Sequence, residues 1–143
     1  MLDCMIVGDS IAVGTQAAMP QCELVGRGGI NSFQFGTIFA SKILKKDVVV
    51  ISLGSNDNLY TQSKYELMKV RGRIDAMQVY WIMPQGVSVG NGVELVLIQD
   101  IVRSVAGIYK DPIITFTPSS DGVHPTTAGY KKIASEIVLK EKE

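Results

Sequence analysis

Short apolar runs alternate with longer amphipathic stretches along the whole chain. The clearest run is Asp47–Ser52, because its unbroken β-branched centre is typical of a parallel strand that is covered on both faces. Four other runs have the length and composition of strands: Cys4–Val7, Glu23–Val25, Gln78–Ile82 and Ile113–Phe116. Longer polar and apolar mixtures separate these runs, so the pattern predicts an α/β protein.

Apolar residues in the intervening stretches recur at helical spacing. The stretch 93–106 shows this best, since its apolar residues share one face and its charges lie opposite. The four predicted stripes are Phe35, Ile38 and Phe39; Leu67, Val70, Ile74 and Met77; Leu95, Ile98, Val102 and Val105; and Tyr130, Ile133, Ala134, Ile137 and Val138. Thr126 or Thr127 is suited to cap the last helix.

Regular alternation of strands and helices favours a parallel sheet with helices on both faces. We expect about five strands in the flavodoxin-like order 2-1-3-4-5, within a single domain over residues 1–143. The working site of such a sheet lies outside the carboxyl ends of its strands. The loops after the strands are therefore where chemistry is expected, and Gln85–Gly92, rich in glycine, is the best candidate for a mobile loop.

Composition narrows the function classes. The formal net charge is zero, so nothing directs the chain to nucleic acid or to an anionic membrane. No apolar run approaches the ~20 residues that cross a bilayer, and the N-terminus lacks a basic start, so we expect a cytoplasmic protein or one exported by another route. A metal site is disfavoured because the chain has one histidine. The oligomeric state is left open.

Two cysteines, Cys4 and Cys22, match no metal or redox spacing. We expect both to be reduced and buried. A disulfide is the alternative, and it requires the first two strands to bring the two residues together.

The segment Gly8-Asp9-Ser10-Ile11 places a serine just after the first strand, at a helix N-terminus. A serine hydroxyl becomes a good nucleophile only when a base takes its proton. His124 is the sole histidine, so it would have to be that base. Asp121, three residues earlier, can place its carboxylate beside Nδ1 and leave Nε2 free for Ser10. The alternatives are a plain helix cap at Ser10 and a surface Asp-Gly turn at Asp121.

Two further residues are candidate oxyanion donors, together with the backbone N–H of Ser10. Gly29 has no side chain to block an approach to its N–H, and we choose it over Gly28 because Ser32 follows three residues later. Asn56 offers a side-chain amide from another loop. The alternatives are a flexible turn and an Asx-turn. Asp9 and Asp57 are expected to support these loops through hydrogen bonds.

Gly8 and Gly14 also invite a phosphate-loop interpretation, which would make the chain a nucleotide-binding protein. The spacing fits neither common phosphate-binding motif, and Thr15 stands where a lysine is needed. This third interpretation is therefore disfavoured.

In order and spacing, these blocks resemble the SGNH hydrolase superfamily, also called GDSL-type esterases and lipases. The matching blocks are Gly-Asp-Ser-Ile around Ser10, the single residue Gly29, Gly54-x-Asn56-Asp57, and Asp121-x-x-His124. The resemblance implies a three-layer αβα sandwich that hydrolyses esters without a cofactor. It implies that Ser10 attacks, that His124 is the base oriented by Asp121, and that Ser10, Gly29 and Asn56 form the oxyanion hole.

We therefore expect a serine esterase whose partner is a small-molecule or carbohydrate ester. The chain is short for the superfamily, which favours an open cleft and a small acyl group, with acetyl on a carbohydrate as first choice. A short-chain acyl thioesterase or a transacylase would have the same residues. A non-catalytic carbohydrate-binding or structural module is the alternative class. The loop Met83–Asn91 is expected to border the cleft.

Overall fold

Strands and helices alternate along residues 1–141, the part of the chain that the computed structural model describes. The strands are β1 (Cys4–Gly8), β2 (Glu23–Gly26), β3 (Leu44–Lys45), β4 (Val48–Ser52), β5 (Ile74–Asp75), β6 (Gln78–Ile82) and β7 (Ile113–Ile114). The helices are α1 (Ser10–Ala18), α2 (Ser32–Ile38), α3 (Ser63–Arg73), α4 (Leu95–Tyr109) and α5 (Thr127–Glu136).

The main sheet has five parallel strands in the order β2-β1-β4-β6-β7. Counted within this sheet, the order is 2-1-3-4-5, so the predicted fold class and topology are confirmed. A second parallel pair, β3 with β5, was not expected. Its two-residue strands are too short to leave a pattern, and Ile74, predicted on a helix, begins β5. Met77 is likewise outside α3 and is exposed.

Two apolar clusters lie on opposite faces of the sheet and explain its β-branched strands. In β4, Val49 and Ile51 face the cluster that contains residues of α2, α3 and α4. Val48 and Val50 face the other cluster, which contains residues of α1 and α5. Because both faces are covered, successive residues of the strand are all buried, and the molecule has the three layers of an αβα sandwich.

Polar side chains fix where the helices that flank the loops begin. The Asp9 carboxylate accepts from the Ile11 N–H at 3.0 Å at the start of α1. Of the two threonines suggested for α5, Thr126 is the cap, since its hydroxyl accepts from the Gly129 N–H at 3.0 Å. The helix ends at Glu136, so the predicted apolar stripe outruns it by two residues.

The expectation of two reduced cysteines is wrong, because Cys4 and Cys22 form a disulfide. Their Cα atoms are 4.7 Å apart, since Met5 pairs with Glu23 and the preceding residues are carried side by side. Disulfides persist mainly in oxidising compartments, so the pairing does not favour the predicted cytoplasmic location. Within residues 1–141, no helix is both long enough and apolar enough to span a bilayer.

Candidate active site

Ser10 lies at the carboxyl end of β1, where the chain turns sharply into α1. Gly8 makes the turn possible: its φ is +138°, and a methyl group there would overlap the Ser52 carbonyl of β4. Asp9 caps the helix and Ser10 is its first residue. The backbone N–H of Ser10 therefore has no acceptor within the helix and is free to bind an anionic oxygen.

The structure brings Ser10, His124 and Asp121 into one hydrogen-bonded chain. The Ser10 Oγ lies 2.7 Å from the His124 Nε2, although the two residues are 114 positions apart. On the other side of the ring, Nδ1 lies 2.8 Å from Oδ2 of Asp121. With Nδ1–H donating to the carboxylate, Nε2 is the acceptor that faces the serine hydroxyl.

Asp121 is stabilised as an anion by the turn that it forms. Its Oδ1 accepts from the backbone N–H groups of His124 at 2.8 Å and of Val123 at 2.7 Å. These bonds, together with the bond from the His124 ring, hold the pKa of the Asp121 carboxyl well below its usual range. The side chains of His124 and Asp121 are 39% and 51% exposed, so this part of the site is open to solvent.

Contacts at both ends of the loop set its position against α1. The Ser119 N–H donates to the His124 carbonyl at 2.7 Å, and Pro118 pairs with Pro125. Immediately beyond lies α5, whose Tyr130 ring packs on Gly14 of α1 so closely that a methyl group there would overlap the ring. Gly14 thus serves helix packing, which draws the loop that carries the histidine towards the helix that carries the serine.

The candidate oxyanion donors come from two other loops. The Asn56 Nδ2 donates to the Ile30 carbonyl at 3.0 Å. A Cβ at Gly28 would lie 3.8 Å from the Ser10 Cβ, so the segment of residues 28–30 lies beside Ser10 and also accepts the hydrogen bond from Asn56. Between these contacts, Gly29 has φ +79° and open space on its Cβ side. The structure therefore brings the five candidate residues to one edge of the sheet.

Two buried aspartates support these loops, as expected. Asp57 accepts from the backbone N–H of Ser32 at 2.8 Å and from its hydroxyl at 2.9 and 3.0 Å, which joins the loop after β4 to the start of α2. Asp9 accepts from the Ser52 hydroxyl at 3.1 Å, which joins the start of α1 to the end of β4.

The carboxyl of Asp9 has a shifted pKa. Burial raises the pKa of its carboxyl to about 7, against the smaller opposing effect of the hydrogen bonds from Ser52 and Ile11. Within residues 1–141 its Oδ2 has no hydrogen-bond partner. Burial therefore disfavours the ionised form of the carboxyl next to the candidate nucleophile.

Sequence reasoning missed Ser88. Its hydroxyl donates to the Asn56 Oδ1 at 2.6 Å, and no motif marks it, because its role depends on a contact with a distant loop. The expectation that Met83–Asn91 borders the site is confirmed at two points. Ser88 contacts Asn56, and Gly86 lies so close to the Gly122 carbonyl that a methyl group would overlap it.

Comparison with known proteins supports the fold. No family model and no curated protein matches the sequence, but solved structures do. A Bacteroides fragilis protein assigned as an acylhydrolase shares 19% identity at a TM-score of 0.68, over 93% of this chain and 83% of that one. The acetyl xylan esterase AlAXEase shares 18% sequence identity at a TM-score of 0.68, over 92% of this chain and 96% of that one. AlinE4, an SGNH-hydrolase family esterase, shares 17% sequence identity at a TM-score of 0.54, over 94% of this chain and 92% of that one.

This chain has the SGNH hydrolase fold. The similarity extends over nearly the whole chain. At this level of identity, the similarity establishes the architecture alone.

Proposed function

We propose that this SGNH-fold chain is a serine esterase that hydrolyses small acyl esters. The observation that carries the proposal is the continuous hydrogen-bonded series from Asp121 through His124 to Ser10, with distances of 2.8 and 2.7 Å. These are the groups and contacts of nucleophilic acyl transfer: a hydroxyl, a base within reach of it, and a carboxylate that orients the base.

In the first step, the Ser10 Oγ attacks the ester carbonyl while the Nε2 of His124 takes the hydroxyl proton. The carbonyl π electrons move to oxygen, which becomes a tetrahedral oxyanion. The charge that develops on the imidazole is balanced by Asp121, whose lowered pKa keeps it ionised.

The oxyanion lies beside the backbone N–H groups of Ser10 and Gly29 and the Asn56 amide in this proposal. Collapse of the intermediate breaks the bond to the alcohol, which leaves with the proton held by His124. The product is an acyl group on the Ser10 Oγ.

In the second step, water replaces the alcohol. His124 takes a proton from the water as it attacks the acyl carbonyl, and a second oxyanion forms in the same place. Its collapse returns the proton to Ser10 and releases the carboxylic acid. If an alcohol took the place of water, the same residues would perform transacylation.

For the substrate, we propose O-acetyl groups on carbohydrates. The partly exposed side chains of His124 and Asp121 leave the reacting centre open, which suits a small acyl group on a bulky, polar alcohol. A long acyl chain would need an enclosed apolar pocket. The similarity in fold to an acetyl xylan esterase points in the same direction.

The test of the chemistry is Ser10→Ala assayed with p-nitrophenyl acetate. We expect turnover to be abolished with the fold intact, because no other group replaces the nucleophile. Ser135→Ala, on the exposed surface of α5, is the matched control and should retain full activity. A fluorophosphonate probe should label the wild type at Ser10. Undiminished hydrolysis by Ser10→Ala would remove Ser10 from the mechanism, and a wild type that neither turns over the ester nor takes up the probe would favour the binding-module alternative.

The test of the substrate compares acetylated xylo-oligosaccharides with p-nitrophenyl esters of increasing acyl length. We expect kcat/KM to fall as the acyl chain lengthens and free acetate to appear from the oligosaccharide. Acetyl transfer to an added alcohol, without free acetate, would indicate a transacylase. Preference for the longest acyl chain would contradict the open-cleft argument.

A further inference from the structure

The Asn56 side chain is held from two sides by groups of different loops. Its Nδ2 lies 3.0 Å from the Ile30 carbonyl, and its Oδ1 lies 2.6 Å from the Ser88 Oγ. A backbone carbonyl only accepts, so the atom that faces Ile30 must be the amide nitrogen. The oxygen therefore faces Ser88, whose single hydroxyl hydrogen is committed to it.

Among the residues that the structure describes, one Asn56 N–H has no acceptor and is left for a ligand. An amide nitrogen carries two hydrogens, and Ile30 accepts one of them. Rotation of the amide by half a turn would place Oδ1 against the Ile30 carbonyl, oxygen against oxygen, and would remove the donor from the site. The hydrogen bond from Ser88 opposes that rotation, and by polarising the amide it also strengthens the remaining N–H as a donor.

Ser88 is itself fixed relative to Asn56. Its backbone N–H donates at 2.8 Å to the carbonyl of Ser55, the residue before Asn56. The same loop is tied to the next residue as well, because Asn91 Nδ2 donates to the Asp57 carbonyl at 3.1 Å. The donor that orients the amide is therefore anchored to the backbone on both sides of that amide.

We infer that Ser88 is a positioning residue, which holds the Asn56 amide with its nitrogen towards the oxyanion. The inference rests on the proposed function. Ser88 acts through Asn56 and does not contact the reacting atoms. Because the oxyanion that Asn56 faces develops only in the transition state, we expect Ser88 to affect kcat.

The first test is Ser88→Ala with p-nitrophenyl acetate. We expect kcat to fall about tenfold, the effect of losing one neutral hydrogen bond, with KM changed less than about twofold because the ground-state carbonyl is neutral. Ser88→Thr keeps the hydroxyl and should restore most of kcat. Val89→Ala, a change at a fully exposed neighbour on the same loop, is the matched control and should behave as wild type.

The second test is a double-mutant cycle with Asn56→Ala. If Ser88 acts through the amide, Ser88→Ala should cause no further loss of kcat in that background. A further tenfold loss would overturn the inference, as would full kcat for Ser88→Ala in an otherwise intact chain.

A third readout does not depend on turnover. In the wild type, the side-chain NH2 of Asn56 should give two well-separated NMR signals, since one hydrogen is bonded to the Ile30 carbonyl and the other is left for a ligand. Ser88→Ala should shift these signals and Val89→Ala should not. Unchanged signals in Ser88→Ala would refute the positioning role, whereas activity in Ser10→Ala would refute the proposed function.

Discussion

The two halves of the candidate site are built in different ways. In the acid–base half, Asp121 and His124 are three residues apart in one turn, and the turn supplies the backbone donors that hold the carboxylate. In the oxyanion half, Asn56 depends on Ile30, 26 positions away, and on Ser88, 32 positions away. The first half can form locally, whereas the second exists only once several loops have come together on the sheet.

Asp121 and Asp9 also differ in the direction in which their surroundings shift the carboxyl pKa. Asp121 accepts hydrogen bonds from two backbone N–H groups and from the His124 ring, and these bonds lower its pKa. The carboxylate beside His124 therefore stays ionised. Asp9 is fully buried, one of its oxygens has no hydrogen-bond partner among the described residues, and its pKa is raised to about 7. An aspartate side chain is thus the ionised partner of an imidazole in one place, and in the other it is a buried anchor between loops whose ionised form burial disfavours.

Of these three changes, we expect Asp121→Asn to lower kcat/KM the most, because it replaces the carboxylate oxygen that faces Nδ1 of His124. The asparagine oxygen can still accept from the Val123 and His124 N–H groups, so the turn survives. The amide nitrogen then faces Nδ1 and favours the wrong tautomer of His124. We expect kcat/KM to fall about 1000-fold, somewhat less than for a buried triad aspartate. Asp100→Asn, on the exposed face of α4, is the control. A loss below tenfold for Asp121→Asn would contradict the orienting role.

A smaller effect is expected from Asn56→Ala, which breaks the oxyanion half. Loss of one donor should lower kcat about 100-fold and leave KM nearly unchanged. Asn56→Asp should lower kcat further, because a carboxylate beside the oxyanion repels it. Thermal unfolding of each variant checks that the loops remain in place. Equal loss of kcat in both variants would argue against an electrostatic role for the amide.

The smallest effect on catalysis, and the clearest on stability, is expected from Asp9→Asn. The folded pKa is about 7 and the reference value is 3.8, so between these values the folded chain holds a proton that the unfolded chain has lost. The free energy of unfolding should therefore fall as the pH rises through this window, by at most about 1.4 kcal/mol per pH unit.

Asp9→Asn keeps an oxygen that accepts from the Ile11 N–H and the Ser52 hydroxyl, and it removes the titration. Urea unfolding at several pH values between 4 and 8 should show the slope in the wild type and a flatter profile in the variant. Asp121 has the opposite sign: its lowered pKa stabilises the fold above the reference value of 3.8, and that contribution is lost only as the pH falls below this value, so Asp121→Asn should leave the slope between pH 4 and 8 almost unchanged. An unchanged slope in Asp9→Asn would assign the pH dependence to another group.

The sequence by itself determined the parts of this protein that depend on neighbours along the chain. The unbroken apolar run of β4 predicted a strand buried on both faces, and helix–strand alternation predicted the order of the main sheet. The Asp121 and His124 pair was visible because a three-residue offset in a turn already brings a carboxylate to an imidazole. Local geometry is encoded locally, so pattern and spacing were enough.

Only the tertiary structure decided the parts that depend on register and on contacts between loops. The disulfide of Cys4 and Cys22 follows from the pairing of β1 with β2, and the sequence pointed to the opposite conclusion. Ser88 has no motif, because a hydroxyl becomes a positioning donor only when a distant amide lies 2.6 Å from it. Such distances result from the packing of the whole sheet and its helices, which spacing along the chain does not specify.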